Sequence, residues 1–273
     1  MADCGIYAWF GYVLPLKERL RLIKDAGFSC VLLWWGDEFR ELDGDKEEHP
    51  ALARRLGLRV ENAHAPYADA NDLWDAGLRG DAFEALLKGC IKSCAVCEIP
   101  TLVLHVTDGP EPPPMNTSGA LRLARLAELG EKIGVKLAVE NVQRPETLDF
   151  VFSQPGCETL GFCYDSGHAF ACAEGAALPE KFGSKLCALH LHDNNSHEDQ
   201  HLLPGEGGID WPTLAGRLRA TAYHGPVTLE SAAPWSEETQ NDRELPESYL
   251  RRAFEAACRV EHWMLKPSGE AFR

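Results

Sequence analysis

The stretch "GALRLARLAELGEKIGVKLAVEN" runs from Gly119 to Asn141 and joins two different patterns. In its first part Leu121, Leu129 and Ile133 recur at helical spacing, which predicts an amphipathic helix that turns those three residues inward, and Gly134 supplies a C-cap. The second part, "VKLAVEN" (Val135–Asn141), is short and apolar without strict alternation, and it ends on polar residues. Continuous rather than alternating hydrophobicity suits a strand of a parallel sheet covered on both faces.

The same helix-then-strand unit recurs on both sides. Strand patterns occupy Cys4–Phe10, Ser29–Trp35, Leu58–His64 and Thr101–His105 before it, and Leu160–Asp165, Lys185–Asp193 and Pro226–Ser231 after it. "PLKERLRLIKDAG" places Leu16, Leu20 and Ile23 on one helical face and stops at Gly27; Asp210 caps the helix "WPTLAGRLRATAYHG"; a last helix spans Pro246–Leu265. Eight such units in 273 residues predict one α/β domain over 1–273, a (β/α)8 TIM barrel of parallel strands with its active site at the C-terminal face. A doubly wound open sheet is the alternative, but no Gly-rich fingerprint follows the first strand. The Pro-rich segment Asp108–Gly119 reads as a loop rather than a domain boundary.

Composition narrows the function classes. The net charge of −15 gives a surface that repels phosphate backbones and anionic lipid, so neither nucleic acid nor membrane is an expected partner. No apolar run approaches 18 residues, and the N-terminal stretch lacks the layout of a signal peptide. With ten cysteines, that predicts reduced thiols and a cytoplasmic location. Cys90, Cys94 and Cys97 have a spacing compatible with a metal motif, but they also share one helical face, and core packing is the expected role.

The strand ends carry the chemistry. The third strand ends in His64, the fourth in His105, the fifth in Glu140 and the sixth in Asp165, with His168 just beyond; the seventh carries His190 and the eighth ends near Glu230. In a barrel these ends converge on one face. Several carboxylates buried together without counter-charge are very costly, and a divalent cation removes that cost. His192 has the parity of His190, and Asp199 and His201 lie on the loop above, whereas His197 and Glu198 read as ordinary loop residues. The glycines of "PGEGGID" (Pro204–Asp210) are expected to let the backbone run close to whatever fills the pocket. Trp34 and Trp35 end the second strand, and Trp9 and Phe10 the first; such rings form an aromatic wall or barrel core, and Trp35 stands evenly between the two. Tyr67 reads either as a hydrogen-bond donor or as a core residue.

At "HAPY" (His64–Tyr67), "VLH" (to His105), "VEN" (Val139–Asn141), "YDSGHAF" (Tyr164–Phe170), "HLHDN" (His190–Asn194), "DQHLLPGEGGID" (Asp199–Asp210) and "TLES" (Thr228–Ser231), the sequence resembles the xylose-isomerase-like barrel superfamily. That group includes sugar isomerases and epimerases, inosose dehydratases and apurinic endonuclease IV enzymes. For the sugar-acting branch the resemblance implies one divalent metal per chain (Mn2+, Zn2+ or Co2+) on Glu140, Asp165, His190 and Glu230. It also implies a small sugar-like substrate and an enediolate route with Glu140 and Glu230 as acid/base pair. Loss of hydroxide at the same site would make the enzyme a dehydratase. For the nuclease branch it implies three zinc ions, with His64, His105, His168, Asp199 and His201 as further ligands or, in the sugar branch, as substrate contacts beside Trp34. Against the nuclease, the loop after the second strand carries Arg40 and Lys46 among seven acidic residues. Ketohexose epimerases carry an Arg shortly after the seventh-strand His; here no Arg or Lys lies between Asp193 and Asp210, and His192 stands where inosose-dehydratase-like members often have Lys. A homo-oligomer is left open.

Overall fold

The structure, a computed structural model, describes residues 3–172, 175–234 and 244–265; the ends of the expected 1–273 domain lie outside them. Eight parallel strands are found: β1 (Cys4–Tyr7), β2 (Cys30–Trp34), β3 (Arg59–His64), β4 (Thr101–Leu104), β5 (Lys136–Glu140), β6 (Gly161–Asp165), β7 (Leu186–His190) and β8 (Val227–Leu229). They pair in the order β7-β6-β5-β4-β3-β2-β1-β8. Between β7 and β8 the cylinder closes through a single bridge, Leu191 with Leu229, in which Leu191 N–H donates to Thr228 O (3.0 Å) and Glu230 N–H to Leu191 O (2.9 Å). The (β/α)8 barrel is therefore the fold.

The helices are α1 (Leu16–Ala26), α2 (Arg40–Asp43), α3 (His49–Arg55), α4 (Leu78–Val96), α5 (Thr117–Ile133), α6 (Glu146–Ser153), α7 (Ser166–Phe170), α8 (Leu178–Phe182), α9 (Trp211–Arg219) and α10 (Pro246–Leu265). Gly27 and Gly134 end α1 and α5 in the left-handed conformation, and the Asp210 side chain caps α9, as the sequence predicts. The segment after β2 holds α2 and α3 rather than a plain loop. The inward face of α5 differs from expectation. Ala120, Leu123, Leu126, Ala127 and Gly130 are buried, Leu129 and Ile133 are half-buried, and Leu121 is 55% exposed. Leu121 lies two residues from Leu123 and is therefore turned roughly 200° around the helix from it. Cys90 and Cys94 are buried on α4 and Cys97 half-buried behind it, consistent with packing.

Strand parity then separates two environments. Ala63, Leu102, Leu104, Leu137, Val139, Phe162, Tyr164, Leu189 and Leu229 belong to the main core between sheet and helices. Val103, Ala138, Cys163 and Ala188 form a separate buried cluster inside the barrel. Two residues further along each of those four strands stand His105, Glu140, Asp165 and His190. Asn62 and Thr228, both fully buried, precede His64 and Glu230 by the same two residues. Small side chains thus fill the barrel below, and the next inward layer is made of imidazole and carboxylate.

Candidate metal centre and active site

Glu140, 1% exposed, is the hub of that layer. Its carboxylate lies 3.3 Å from His64 Nε2, 3.5 Å from His105 Nε2, 3.4 Å from His168 Nδ1 and 2.9 Å from His190 Nδ1. His190 Nδ1 also lies 3.4 Å from Glu230 Oε2, so one imidazole nitrogen faces two carboxylates. A donor atom from each of Glu140, Asp165, His190 and Glu230 lies within 4.8 Å of each of the others. His64, Glu140 and His190 satisfy the same condition, as do His192, His201 and Glu230.

The ring orientations come from neighbouring acceptors. His64 Nδ1 donates to Ala65 O (2.7 Å), His168 Nδ1 to Asn141 O (3.0 Å) and His201 Nδ1 to Glu230 O (2.6 Å), which turns each Nε2 toward a carboxylate. His190 Nε2 faces Asn62 Oδ1 at 3.4 Å, leaving Nδ1 for Glu140 and Glu230. An imidazole held by a carbonyl at one nitrogen with the other aimed inward is the arrangement metal-ligating histidines adopt. Both nitrogens of His105, Nδ1 of His190 and Oε2 of Glu140 are buried without a hydrogen-bond partner. Such orphaned donors around paired carboxylates fit a divalent cation.

Asp199 binds the loop to this floor: its carboxylate lies 3.4 Å from His168 Nε2 and 3.3 Å from His201 Nε2. The sequence-predicted residues His64, His105, Glu140, Asp165, His168, His190, Asp199, His201 and Glu230 therefore form one connected cluster. His197 and Glu198 are in the loop and contribute no side-chain contact to it among the described residues.

Electrostatics follow from these contacts. Burial would raise the pKa of Glu140, but His190 and His105 outweigh it and hold the carboxyl well below its ordinary value. The same balance, with His190 as main partner, holds Glu230 down to about 2. Burial opposes protonation of His168, but Asp165 and Asp199 outweigh it and raise its pKa well above the usual imidazole range. Asp199 and Glu230 likewise hold His201 up to about 9 against its burial. His105 moves the other way, because burial outweighs its contact with Glu140.

Trp34 stands at the mouth. Its ring stacks on His64 at 5.7 Å, meets Tyr67 edge-on at 5.6 Å and donates Nε1–H to Glu38 (2.6 Å). Trp35, fully buried, points the opposite way and donates Nε1–H to Ser93, so it is core. Tyr67 is 39% exposed and stacks on His105 at 4.6 Å, which makes it part of the wall rather than the core. Trp9 follows β1, stacks on Phe39 at 5.1 Å and covers the Arg19 guanidinium, while Phe10 is buried.

Among the glycines after Pro204, Gly207 is where the backbone runs closest to its surroundings. A Cβ on Gly207 would come within 2.4 Å of Asp193 Oδ1 and of Asn194 O. The close approach is to Asp193, whose buried carboxylate accepts from Gly205 N (2.9 Å), Ile209 N (3.1 Å) and Trp211 Nε1 (2.7 Å) and so folds the whole return loop. Asp193, Asn62, Asn141 and Tyr7 are absent from the sequence-derived site. Asn141 locks the ends of β5 and β6 by a reciprocal pair with the Asp165 backbone (2.8 and 2.9 Å). Burial, and then the charge on Glu230, raises the pKa of the Tyr7 phenol. Parity with His64 was the signal available for Asn62; a tyrosine in a four-residue strand carries none.

A family model described as the xylose isomerase-like TIM barrel matches residues 20–253. The chain belongs to that family. Among its relatives, the putative hydroxypyruvate isomerase of Streptomyces coelicolor is 25% identical over 244 residues, 80% of this chain and 85% of that protein. Two solved structures of this barrel share the fold: an L-ribulose 3-epimerase (TM-score 0.72, 20% identity, 99% of this chain and 100% of that one) and the IOLI protein with a binding zinc atom (TM-score 0.75, 17% identity, 97% and 100%). Within this xylose isomerase-like barrel the ion pairs of the strand-end residues are all His–carboxylate among the described residues. Arg40 and Lys46 are engaged by Asp45 and Asp37. No described helix is long and apolar enough to cross a membrane.

Proposed function

We propose that this chain is a divalent-cation-dependent isomerase or epimerase of a sugar or related polyhydroxy carbonyl compound. The observation that carries the reading is the four-donor set of Glu140, Asp165, His190 and Glu230, in which two buried carboxylates share one imidazole at the mouth of the barrel. The isomerase and epimerase relatives, and the zinc in the IOLI structure, support it. Glu140, Asp165, His190 and Glu230 would hold one cation; Mn2+, Zn2+ and Co2+ all suit this mixed N/O set.

Bound there, a divalent cation polarises a substrate carbonyl and lowers the cost of the oxyanion that forms as a proton leaves carbon. Glu140 and Glu230 enter ionised, so either can take the proton from carbon. The glutamic acid so formed returns that proton to the neighbouring carbon in isomerisation, whereas delivery to the opposite face requires the other glutamate first to take up a proton from a substrate hydroxyl or from solvent. His64 and His168, fixed through Nδ1, orient substrate hydroxyls from their Nε2 edges. Trp34 and Tyr67 offer ring faces to the C–H side of a sugar and keep bulk water from it. Purified protein is expected to carry about one such cation per chain and to interconvert at least one pair on a panel of ketoses, aldoses and inososes. Glu140→Gln and Glu230→Gln should each cut turnover by roughly 10²- to 10⁴-fold. A cation-loaded wild type inert on the whole panel counts against the reading.

A second reading, a trinuclear zinc phosphodiesterase, is favoured by one observation: His64 and His105 gather on Glu140, and His168 and His201 on Asp199. Nicking of duplex DNA at an abasic site, with close to three zinc ions per chain, would select it.

A further inference from the structure

His192 is a buried histidine of the cluster that belongs neither to the four-donor set nor to the substrate contacts. Its side chain is fully buried. Its Nε2 faces both carboxylate oxygens of Asp165, at 3.0 and 3.1 Å, while its Nδ1 has no partner. A carboxylate only accepts, so the nitrogen that faces it carries the hydrogen. The ring lies flat on His201, with centroids 4.1 Å apart and planes 14° from parallel.

Two neighbouring residues hold it there. The Ser166 hydroxyl donates to His192 O (2.7 Å) and accepts from His192 N–H (2.9 Å). Gly167 gives the ring its space, since a Cβ at that position would sit 1.9 Å from His192 Cε1. Ser166 and Gly167 directly follow Asp165 in sequence. The residues that seat the His192 ring thus continue the chain from the carboxylate it meets, and Asp165 cannot turn without losing this bond. Asp165 is otherwise fixed by the His168 N–H at Oδ1 (2.7 Å).

We propose that His192 is a positioning residue: it holds the Asp165 carboxylate through Nε2–H in the orientation that presents an oxygen to the cation site, and so sets the affinity of that site. This rests on the cation-site reading above. Hydrogen-bond partners of metal-ligating carboxylates commonly account for 10- to 100-fold in affinity.

The test is a Co2+ titration of metal-depleted protein by visible absorbance, with chelator competition for the dissociation constant and a thermal melt of each apo variant. His192→Leu removes the donor. His192→Gln restores an N–H near the Nε2 position. Gly167→Ala displaces the ring while leaving it in the chain. The expected result is 10- to 100-fold weaker Co2+ binding and an altered Co2+ band for His192→Leu and Gly167→Ala, with His192→Gln within about threefold of wild type. If His192→Leu binds Co2+ with wild-type affinity and spectrum, the proposal is overturned. It is equally overturned if Gln fails to rescue and all three variants lose affinity in step with their apo melting temperatures, because the role is then only packing. A wild type that binds no Co2+, Mn2+ or Zn2+ overturns the cation-site reading itself, and is recognised before any variant is compared.

Discussion

At the residue scale, Glu84 shows how much a single buried carboxylate depends on its partners. It is 5% exposed on α4 and accepts a bidentate pair from Arg125 of α5 (2.7 and 2.6 Å), with Lys88 at 2.7 Å. The Arg125 hydrogen bond, aided by Lys88 and opposed by burial, holds its carboxyl at about 2. A folded-state value below the unfolded one gives stability that is complete above the ordinary glutamate range and is lost as pH falls toward about 2. Urea midpoints of wild type and Glu84→Gln at pH 7 and pH 3 check this: the gap between the two proteins should be wide at pH 7 and narrow at pH 3. Equal gaps would mean that the pair contributes nothing dependent on ionisation. Residue identity alone announces such a group poorly, since Glu84 in "DAFEALLKG" reads as a solvated helical charge until α5 is packed across it.

At the element scale, α5 separates what periodicity can and cannot say. The sequence shows a helix ending at Gly134, and the structure has one, Thr117–Ile133. Leucines stand on more than one face, so the buried stripe is decided by where the barrel lies. Leu123 is fully buried and Leu121 is exposed. Leu123→Ala should cost about 2–5 kcal/mol, as truncation of a packed leucine does. Leu121→Ala should stay within about 0.5 kcal/mol of wild type. Denaturant unfolding of both variants measures the difference, and similar costs would contradict this orientation of the helix. The strands behave differently. Two-residue alternation on β3 to β8 sends Asn62, Val103, Ala138, Cys163, Ala188 and Thr228 and their i+2 partners into the barrel, and that arithmetic is legible before any packing is known.

At the scale of the whole molecule, the proposed cation site would also act as a staple. Its donors come from β5, β6, β7 and the end of β8, and β7 and β8 meet through a single bridge. A cation that binds only the folded barrel stabilises it by mass action, by about 2.7 kcal/mol at a hundredfold excess over the dissociation constant. Chelation should therefore lower the melting temperature by several degrees, and Co2+, Mn2+ or Zn2+ should restore it. Because the burial of His190 is outweighed by Glu230 and Glu140, which leave its pKa well above the usual imidazole range, and a ligating imidazole must be neutral, binding should release a proton and strengthen as pH rises. Calorimetry in buffers of different ionisation enthalpy reads that release, and a buffer-independent heat would contradict it.

The sequence by itself determined the eight parallel units, the closed barrel they imply, and the strand-end positions of His64, His105, Glu140, Asp165, His190 and Glu230. These depend on local periodicity, and a strand fixes the side on which each residue stands. It did not determine that Trp35 is core while Tyr67 is at the mouth, nor that Asp193 organises the return loop, nor that His192 meets Asp165. Each of these depends on which distant segment arrives opposite. Ser93 takes the Trp35 indole, the Pro204–Asp210 turn folds onto Asp193, and the missing Cβ of Gly167 leaves space for the His192 ring. Contacts across 26 or 58 residues of chain are set by barrel closure, a long-range packing event that local pattern does not encode.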